Sequence, residues 1–475
     1  MSDTELHYQN IADLAQQIRQ GQLSPVEITE HLLDRVEKLG PRLHAIKGLT
    51  RDRALAEARS AELELRAGHD RGPLHGIPYV AKDLYDVKGE PTAAGCRLLE
   101  HRIAQRDCAV VRRLARAGMV LLGKSHTVQF AFGAVGINHD TGTPHNPYHQ
   151  EPHVPGGSSS GSAVAVAAGL APMGLGSDTG GSVRIPSSLC GTVGLKTTVG
   201  RISRAGIYPL SWTLDTAGPL TRSVEDAALV FHALQGEDAE DESTCGVAPL
   251  DVQPVLTRGV EGLRIAVGDP VLFEGVDPEV EQCVTETGAV FESLGAQVKH
   301  IELPELSRIL SDERRGLMIS AEACAVNRKL LDDHFEQLDP VVAQRMIEGR
   351  KLAATEYYDE LRQWMRWRKD VMETLRDVDA VIAPTTMIPA APLQEVDANF
   401  DQYMAYNSKY SRNTYFGNIL NLCGVSLPCG FTAAGLPVGL MIYAKTFQED
   451  MALRVACAYE QATSWHERRP DLSWA

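Results

Sequence analysis

The nine cysteines of this sequence include no C-x-x-C pair, and none stands with histidine at the spacing of a zinc site. That excludes a thiolate metal centre. An odd number of scattered thiols fits the reduced state of a cytoplasm better than a disulfide framework. Basic runs are missing too. Lys and Arg number 46 against 62 Asp and Glu, and the formal net charge of −16 repels nucleic-acid phosphate. No apolar run is long enough to cross a bilayer: "SAVAVAAGLAPMGLG" is short and broken by Gly and Pro. The N-terminus, "MSDTELHYQN", lacks the basic-then-apolar order of a signal peptide. The expectation is a soluble cytoplasmic protein with no metal, cofactor, membrane or nucleic-acid partner. Homo-oligomerisation stays open.

What is present is ordinary globular composition, 44% hydrophobic and 23% charged over 475 residues. Residues 10–67 read as helices, with Ser24 as an N-cap and Pro25 in the first turn of the second. "HGIPYVAKDLYDV" reads as a strand entering a loop. "DCAVVRRLARAG" followed by "MVLLGK" is a helix-to-strand step. "SSGSAVAVAAGLA" is a helix of small residues, and "VEDAALVFHALQG" another helix closed by Gly236. After the acidic stretch 237–254 come "LRIAVG" (strand), 278–294 (helix), "AQVKHIEL" (strand) and a helical region to about 377; "DAVIAPT" and "LPVGLMIYA" are late strands. No internal repeat is visible. The mixture predicts an α/β fold, a central mixed β-sheet surrounded by many helices.

Two motif matches fail on context. "GMVLLGKS", residues 118–125, satisfies the P-loop pattern letter for letter, but a helix precedes its first glycine and Met-Val-Leu-Leu belongs inside a strand. "GSSSG", residues 157–161, matches the G-x-S-x-G elbow, yet "HNPYHQEPHVPG" before it is no apolar strand. His232, His300, His334 and His466 have no setting that would complete a triad. A third stretch, "GLGSDTGGSVRIPSSLCG" at 174–191, sets an acid, small turn residues and Ser182 after an apolar run. It suits either a glycine turn capped by serine or a nucleophile with an oxyanion site. Lys82 ends another apolar run, "GIPYVAK". A lysine in an apolar site can lose its proton and serve as a base. Asp83 beside it would oppose this only by facing the amine, and strand alternation points it elsewhere.

"GIPYVAKD", "PGGSSSGSAVAVAAGLAPMGLGSDTGGSVRIPSSLCGTVGLK" and "GPLTRSVEDAALV" together resemble the amidase signature family. Echoes in "VDAVIAPT" and "LPVGLMI" extend the resemblance over most of the chain. It implies a Ser–cis-Ser–Lys unit without histidine: Ser182 as nucleophile, Ser158 in a cis peptide as bridge, Lys82 as base. Backbone N–H groups of Thr179, Gly180, Gly181 and Ser182 would hold the oxyanion, with Asp178 and Arg184 steadying the loop. The implied substrate is a small-molecule amide. The resemblance divides the single domain 1–475 into a helical segment 1–67, a motif-bearing core 68–236, a surface linker 237–260 and a remainder 261–475 that completes the sheet and the pocket.

The family also includes the glutamine-hydrolysing component of the tRNA-dependent amidotransferase. That component carries an Arg-Arg-Ile segment whose second arginine is thought to hold the glutamine carboxylate. Here "AQRMIEG" puts Met346 at that place; Thr414 stands where an acid is expected, and "GLKTT" replaces Gly-Leu-Lys-Pro-Thr. These departures favour a stand-alone amidase. Phe400, Tyr403, Tyr406 and Tyr410 recur at helical spacing, followed by Tyr415 and Phe416. The stripe reads either as core or as an acyl pocket for aryl groups. Aliphatic amides and urea-type substrates such as biuret derivatives stay open.

Overall fold

Ser24 starts the second helix, Pro25–Leu43, with a capping box. Its Oγ accepts from Val26 N at 2.9 Å, and its own N–H donates to the Glu27 carboxylate at 2.8 Å. The structure, a computed structural model, describes residues 5–312 and 314–475. Helices Ile11–Arg19, Pro25–Leu43 and Arg51–Arg66 occupy most of the expected helical segment. One piece of it departs. Ile46–Leu49 is a strand, β1, paired antiparallel to a neighbour whose Gly123 leaves no room for a Cβ, which would meet Gly48 O at 2.3 Å. Sheet pairing overrides the helical surroundings of this short stretch.

The other strands are β2 (Pro78–Lys82), β3 (Val120–Ser125), β4 (Met173–Asp178), β5 (Val193–Lys196), β6 (Thr216–Thr221), β7 (Arg264–Val267), β8 (Gln297–His300), β9 (Ala380–Pro384), β10 (Cys423–Phe431) and β11 (Pro437–Ala444). They form one sheet in the order β1-β3-β2-β4-β6-β5-β10-β11-β9-β7-β8. β2 runs parallel to β3 and β4, and β7 parallel to β8 and β9; the other pairs are antiparallel. The fold is the expected mixed α/β one. β2, β3, β4, β9 and β11 are buried along their whole length. Strands covered on both faces have no need of polar alternation, so they read as unbroken apolar runs.

Helix Ser160–Ala167 lies close against β4 because both are built from small residues. A Cβ at Gly174 would meet Ser162 Cβ at 2.9 Å, and one at Gly176 would meet Ser159 Oγ at 2.8 Å. The acidic stretch after Gly236 is tied down at one end. Asp238 accepts from Ser203 Oγ at 2.7 Å, and Asp241, itself buried, from Arg204 N at 2.7 Å. Among the described residues no helix is long and apolar enough to cross a membrane, and no group of His, Cys, Asp and Glu could hold a metal ion.

Candidate active site

Parallel pairing of β2 with β4 brings the ends of both strands to one edge, where α/β sheets place their ligands. Lys82 ends β2 and is fully buried. Its Nζ donates to Ser158 Oγ at 2.7 Å, Ser177 Oγ at 2.9 Å and Ser159 Oγ at 3.0 Å. Three hydroxyls satisfy the amine without any adjoining carboxylate. Burial lowers its pKa to about 7, against the opposing pull of Asp178 and Asp215. Asp83 turns away, to Lys124 at 3.3 Å and Lys47 at 3.9 Å. Lys124 of the P-loop-like match is buried in β3 and donates to the carbonyls of Tyr85 and Pro91.

The peptide bond between Gly157 and Ser158 is cis. Ser158 O accepts from Thr127 Oγ1 at 3.0 Å, and Gly157 N donates to Ala134 O at 2.7 Å. The two serine clusters meet directly, with Ser159 N donating to Ser182 O at 3.2 Å. Ser182 sits two residues before helix Arg184–Leu189, and 8% of its surface is exposed.

Beneath Ser182 the Asp178 carboxylate accepts from both Arg184 Nε (3.0 Å) and Nη2 (2.9 Å), with both residues fully buried. Asn418 Nδ2 adds a bond at 2.9 Å, and Arg184 Nη1 donates to Tyr443 OH and Thr414 O. The guanidinium holds the Asp178 carboxyl well below the usual carboxylate range despite burial. Asp178 also takes the backbone N–H of Gly181 at 2.8 Å and of Val183 at 3.1 Å. This corrects the expected oxyanion donors: Gly181 N–H is already committed to the loop. Among the described residues, the N–H groups of Thr179, Gly180 and Ser182 make no bond to a protein acceptor.

Ser182, Thr179 and Gly180 face a cavity of about 260 Å³. Phe132, Arg345, Asn407, Ser411 and Tyr415 line its far side. Arg345 Nη1 donates to Phe132 O at 2.6 Å, with its guanidinium 3.9 Å over the Phe132 ring. It forms no ion pair among the described residues.

The amidase family model matches residues 27–453 of the chain. The chain belongs to the amidase signature family. An amidase of Pseudomonas putida is 39% identical over 97% of each chain. The first of the two components compared by name with it, the glutamyl-tRNA(Gln) amidotransferase A chain of Gloeobacter violaceus, is 36% identical over 98% of each. The solved native peptide amidase of Stenotrophomonas maltophilia superposes with a TM-score of 0.85 at 33% identity, covering 98% of each chain. The chain is thus an enzyme, a hydrolase of C–N bonds.

The amidase builds its cavity differently from the expected aromatic stripe. Tyr403 and Tyr410 are buried in an apolar cluster with Val341 and Leu436, and the Tyr410 hydroxyl is used by Pro389 O and Ala391 N. Phe416 packs on Tyr443, and Tyr406 donates to Glu395. Only Tyr415 of the five lines the cavity. Helix Phe400–Ile419 instead presents Met404, Asn407, Ser408 and Ser411, a face offset by one residue and mostly polar. The hydrophobic stripe of an amphipathic helix goes to the core.

Met346 is likewise corrected. It is fully buried in the apolar cluster that holds Trp364 and Leu420, while its neighbour Arg345 reaches the cavity. The side chain at the site stands one residue earlier than expected, and it is an arginine. Thr414 lies under the loop, its Oγ1 donating to Gly180 O at 2.7 Å, and a Cβ at Gly181 would meet that oxygen at 2.2 Å. Sequence reasoning missed Ser159, Ser177 and Asp215. The first two lie inside the quoted serine blocks. Asp215 precedes β6 in "LDTAGP"; it accepts from Thr179 Oγ1, and burial raises its pKa to about 6.

Proposed function

We propose that this amidase hydrolyses a small amide through an acyl-enzyme on Ser182. The observation that carries the reading is the 2.7 Å contact between Lys82 Nζ and Ser158 Oγ, with the amine held near neutrality by burial. Ser182 Oγ attacks the carbonyl as its proton passes to Ser158, whose own proton passes to Lys82. The N–H groups of Thr179, Gly180 and Ser182 receive the oxyanion. Ser158 then protonates the departing nitrogen and is reprotonated by Lys82. Water attacks the ester along the same relay in reverse, releasing the carboxylic acid.

The cavity beside Ser182 takes the acyl group. Its polar face, and a guanidinium whose pKa is lowered by burial with no carboxylate paired to it, support an acyl chain ending in carboxylate or carbonyl oxygen. A cytoplasmic enzyme without metal or cofactor fits this relay. The test is a fluorophosphonate probe followed by peptide mapping. Labelling of Ser182, lost in Ser182→Ala, is expected; labelling of Ser159 or of no serine refutes the assignment.

Arg345 also gives footing to a second reading, the glutamine-hydrolysing component of an amidotransferase, named for the relative at 36% identity. Thr414, where that component's acid is expected, stands against it. Glutaminase activity that appears only in a stoichiometric complex with co-purifying proteins would decide for this reading, and turnover by the isolated chain against it.

A further inference from the structure

A second cavity of about 250 Å³ lies on the other side of the relay. Leu84, Ile207, Leu210 and Trp212 are among its walls, and Ser177 and Asp215 also face it. Ser177 Oγ is bonded to Lys82 Nζ, so this space reaches the base through one hydroxyl. Leu210 lines both cavities, and the Thr179–Asp215 hydrogen bond joins a residue of one to a residue of the other. Leu210 and that bond form the partition.

The lining makes little demand for a polar ligand. Asp215 Oδ1 is taken by Thr179 Oγ1, and Oδ2 by the N–H groups of Leu210 (2.9 Å) and Ser211 (3.0 Å). Ser177 Oγ is occupied by the lysine. What remains is aliphatic and aromatic surface, and apolar cavities of roughly 150 Å³ already hold a benzene ring. Trp212, 61% exposed, stands at the wall with the Arg204 guanidinium 4.3 Å over its ring.

We propose that this space is a leaving-group chamber that receives the aryl or alkyl substituent of the departing amine. The inference rests on the acyl-enzyme reading. As the Ser182 Oγ–carbon bond forms and the C–N bond breaks, the electron pair stays on nitrogen and the proton comes from Ser158 Oγ, resupplied by Lys82. Nitrogen therefore leaves on the Lys82 side, opposite the cavity that holds the acyl group. A primary amide leaves the chamber empty; an anilide fills it.

Ala205→Phe places a ring in the chamber from a residue that makes no contact with the relay. The measurement is kcat/KM for a primary amide and an anilide sharing one acyl group. The anilide-to-primary-amide ratio should fall roughly tenfold or more in Ala205→Phe, the scale on which apolar pockets discriminate. Calorimetric titration of aniline into Ser182→Ala protein should show binding that adding Ala205→Phe removes. An unchanged ratio, or aniline binding that survives the filling, overturns the chamber. If wild type turns over neither amide while aniline binding is lost on filling, the hydrolase reading falls and the chamber stands. Should Ala205→Phe fail to fold, Trp212→Ala at the exposed wall takes its place: a lowered ratio supports the chamber and an unchanged one rejects it.

Discussion

Lys82 Nζ and Ser158 Oγ lie 2.7 Å apart, both wholly shielded from solvent, with no carboxylate bonded to the amine. A free lysine, with a pKa near 10.4, would hold only a trace of neutral amine at pH 7. With its pKa lowered to about 7, half of the Lys82 population is a competent base there. The base works unprotonated, so kcat/KM should rise with pH through a single ionisation near 7 to an alkaline plateau. Lys82→Ala should remove that ionisation and about a thousandfold or more of the rate, and Ser158→Ala about a hundredfold. A Lys82→Ala enzyme with the wild-type rate and profile would take the base out of the mechanism.

The Asp178–Arg184 pair supports the nucleophile loop from below. Arg184→Ala strands a buried carboxylate and should cost about 3–5 kcal/mol of folding stability by urea titration. Asp178→Asn should also release the N–H groups of Gly181 and Val183 and lower kcat more than it raises KM. The double variant Asp178→Asn/Arg184→Met should be less destabilised than either charge deletion alone, because no unpaired charge remains. Equal and additive losses would mean that the pair is not coupled.

The strands whose faces are both buried were legible because β2, β3, β9 and β11 announce themselves as apolar runs bounded by turn residues. Lys82, Ser158 and Ser182 were legible through long, specific motifs. β1 was not: "IKGL" has no pattern of its own and owes its conformation to the edge of β3. The cavity was hardest. Helical spacing identifies a helix face but not which partner it meets, and on Phe400–Ile419 the aromatic face went to the core while its polar neighbour lined the site. Met346 and Arg345 show the same limit, since a shift of one residue turns a helical side chain by about 100°.

Arg345 should set the preference for the acyl group. Arg345→Met should raise KM by about 10–100-fold for amides whose acyl chain ends in a carboxylate, the scale of a lost charge-assisted hydrogen bond. An amide with a short plain acyl group should change little. Measuring both substrates separates recognition from structure: equal losses would show that Arg345 serves only to hold Phe132 in place.

His139 holds the helix that carries Arg345, and it does so through its charge. Its Nδ1 lies 2.8 Å from Asp339, the N-cap of helix Pro340–Glu348, and its Nε2 lies 2.8 Å from Asp397. Gln129 braces the same corner, accepting from Asp339 N and donating to Asp140. Hydrogen bonding to Asp339 is the largest influence that raises the His139 pKa to about 9. Between its ordinary value near 6.5 and about 9, the folded protein keeps a proton that the unfolded chain releases. The contribution of His139 is therefore complete below pH 6.5 and disappears as pH rises through 9. It should amount to about 1–2 kcal/mol, allowing for solvent screening at the partly exposed Asp397. Against His139→Gln, which keeps hydrogen-bonding capacity without the charge, wild type should be more stable at pH 6, and the gap should nearly close by pH 9.5. A gap that is constant or widens with pH in urea titrations would show that the imidazole bridges the two carboxylates uncharged.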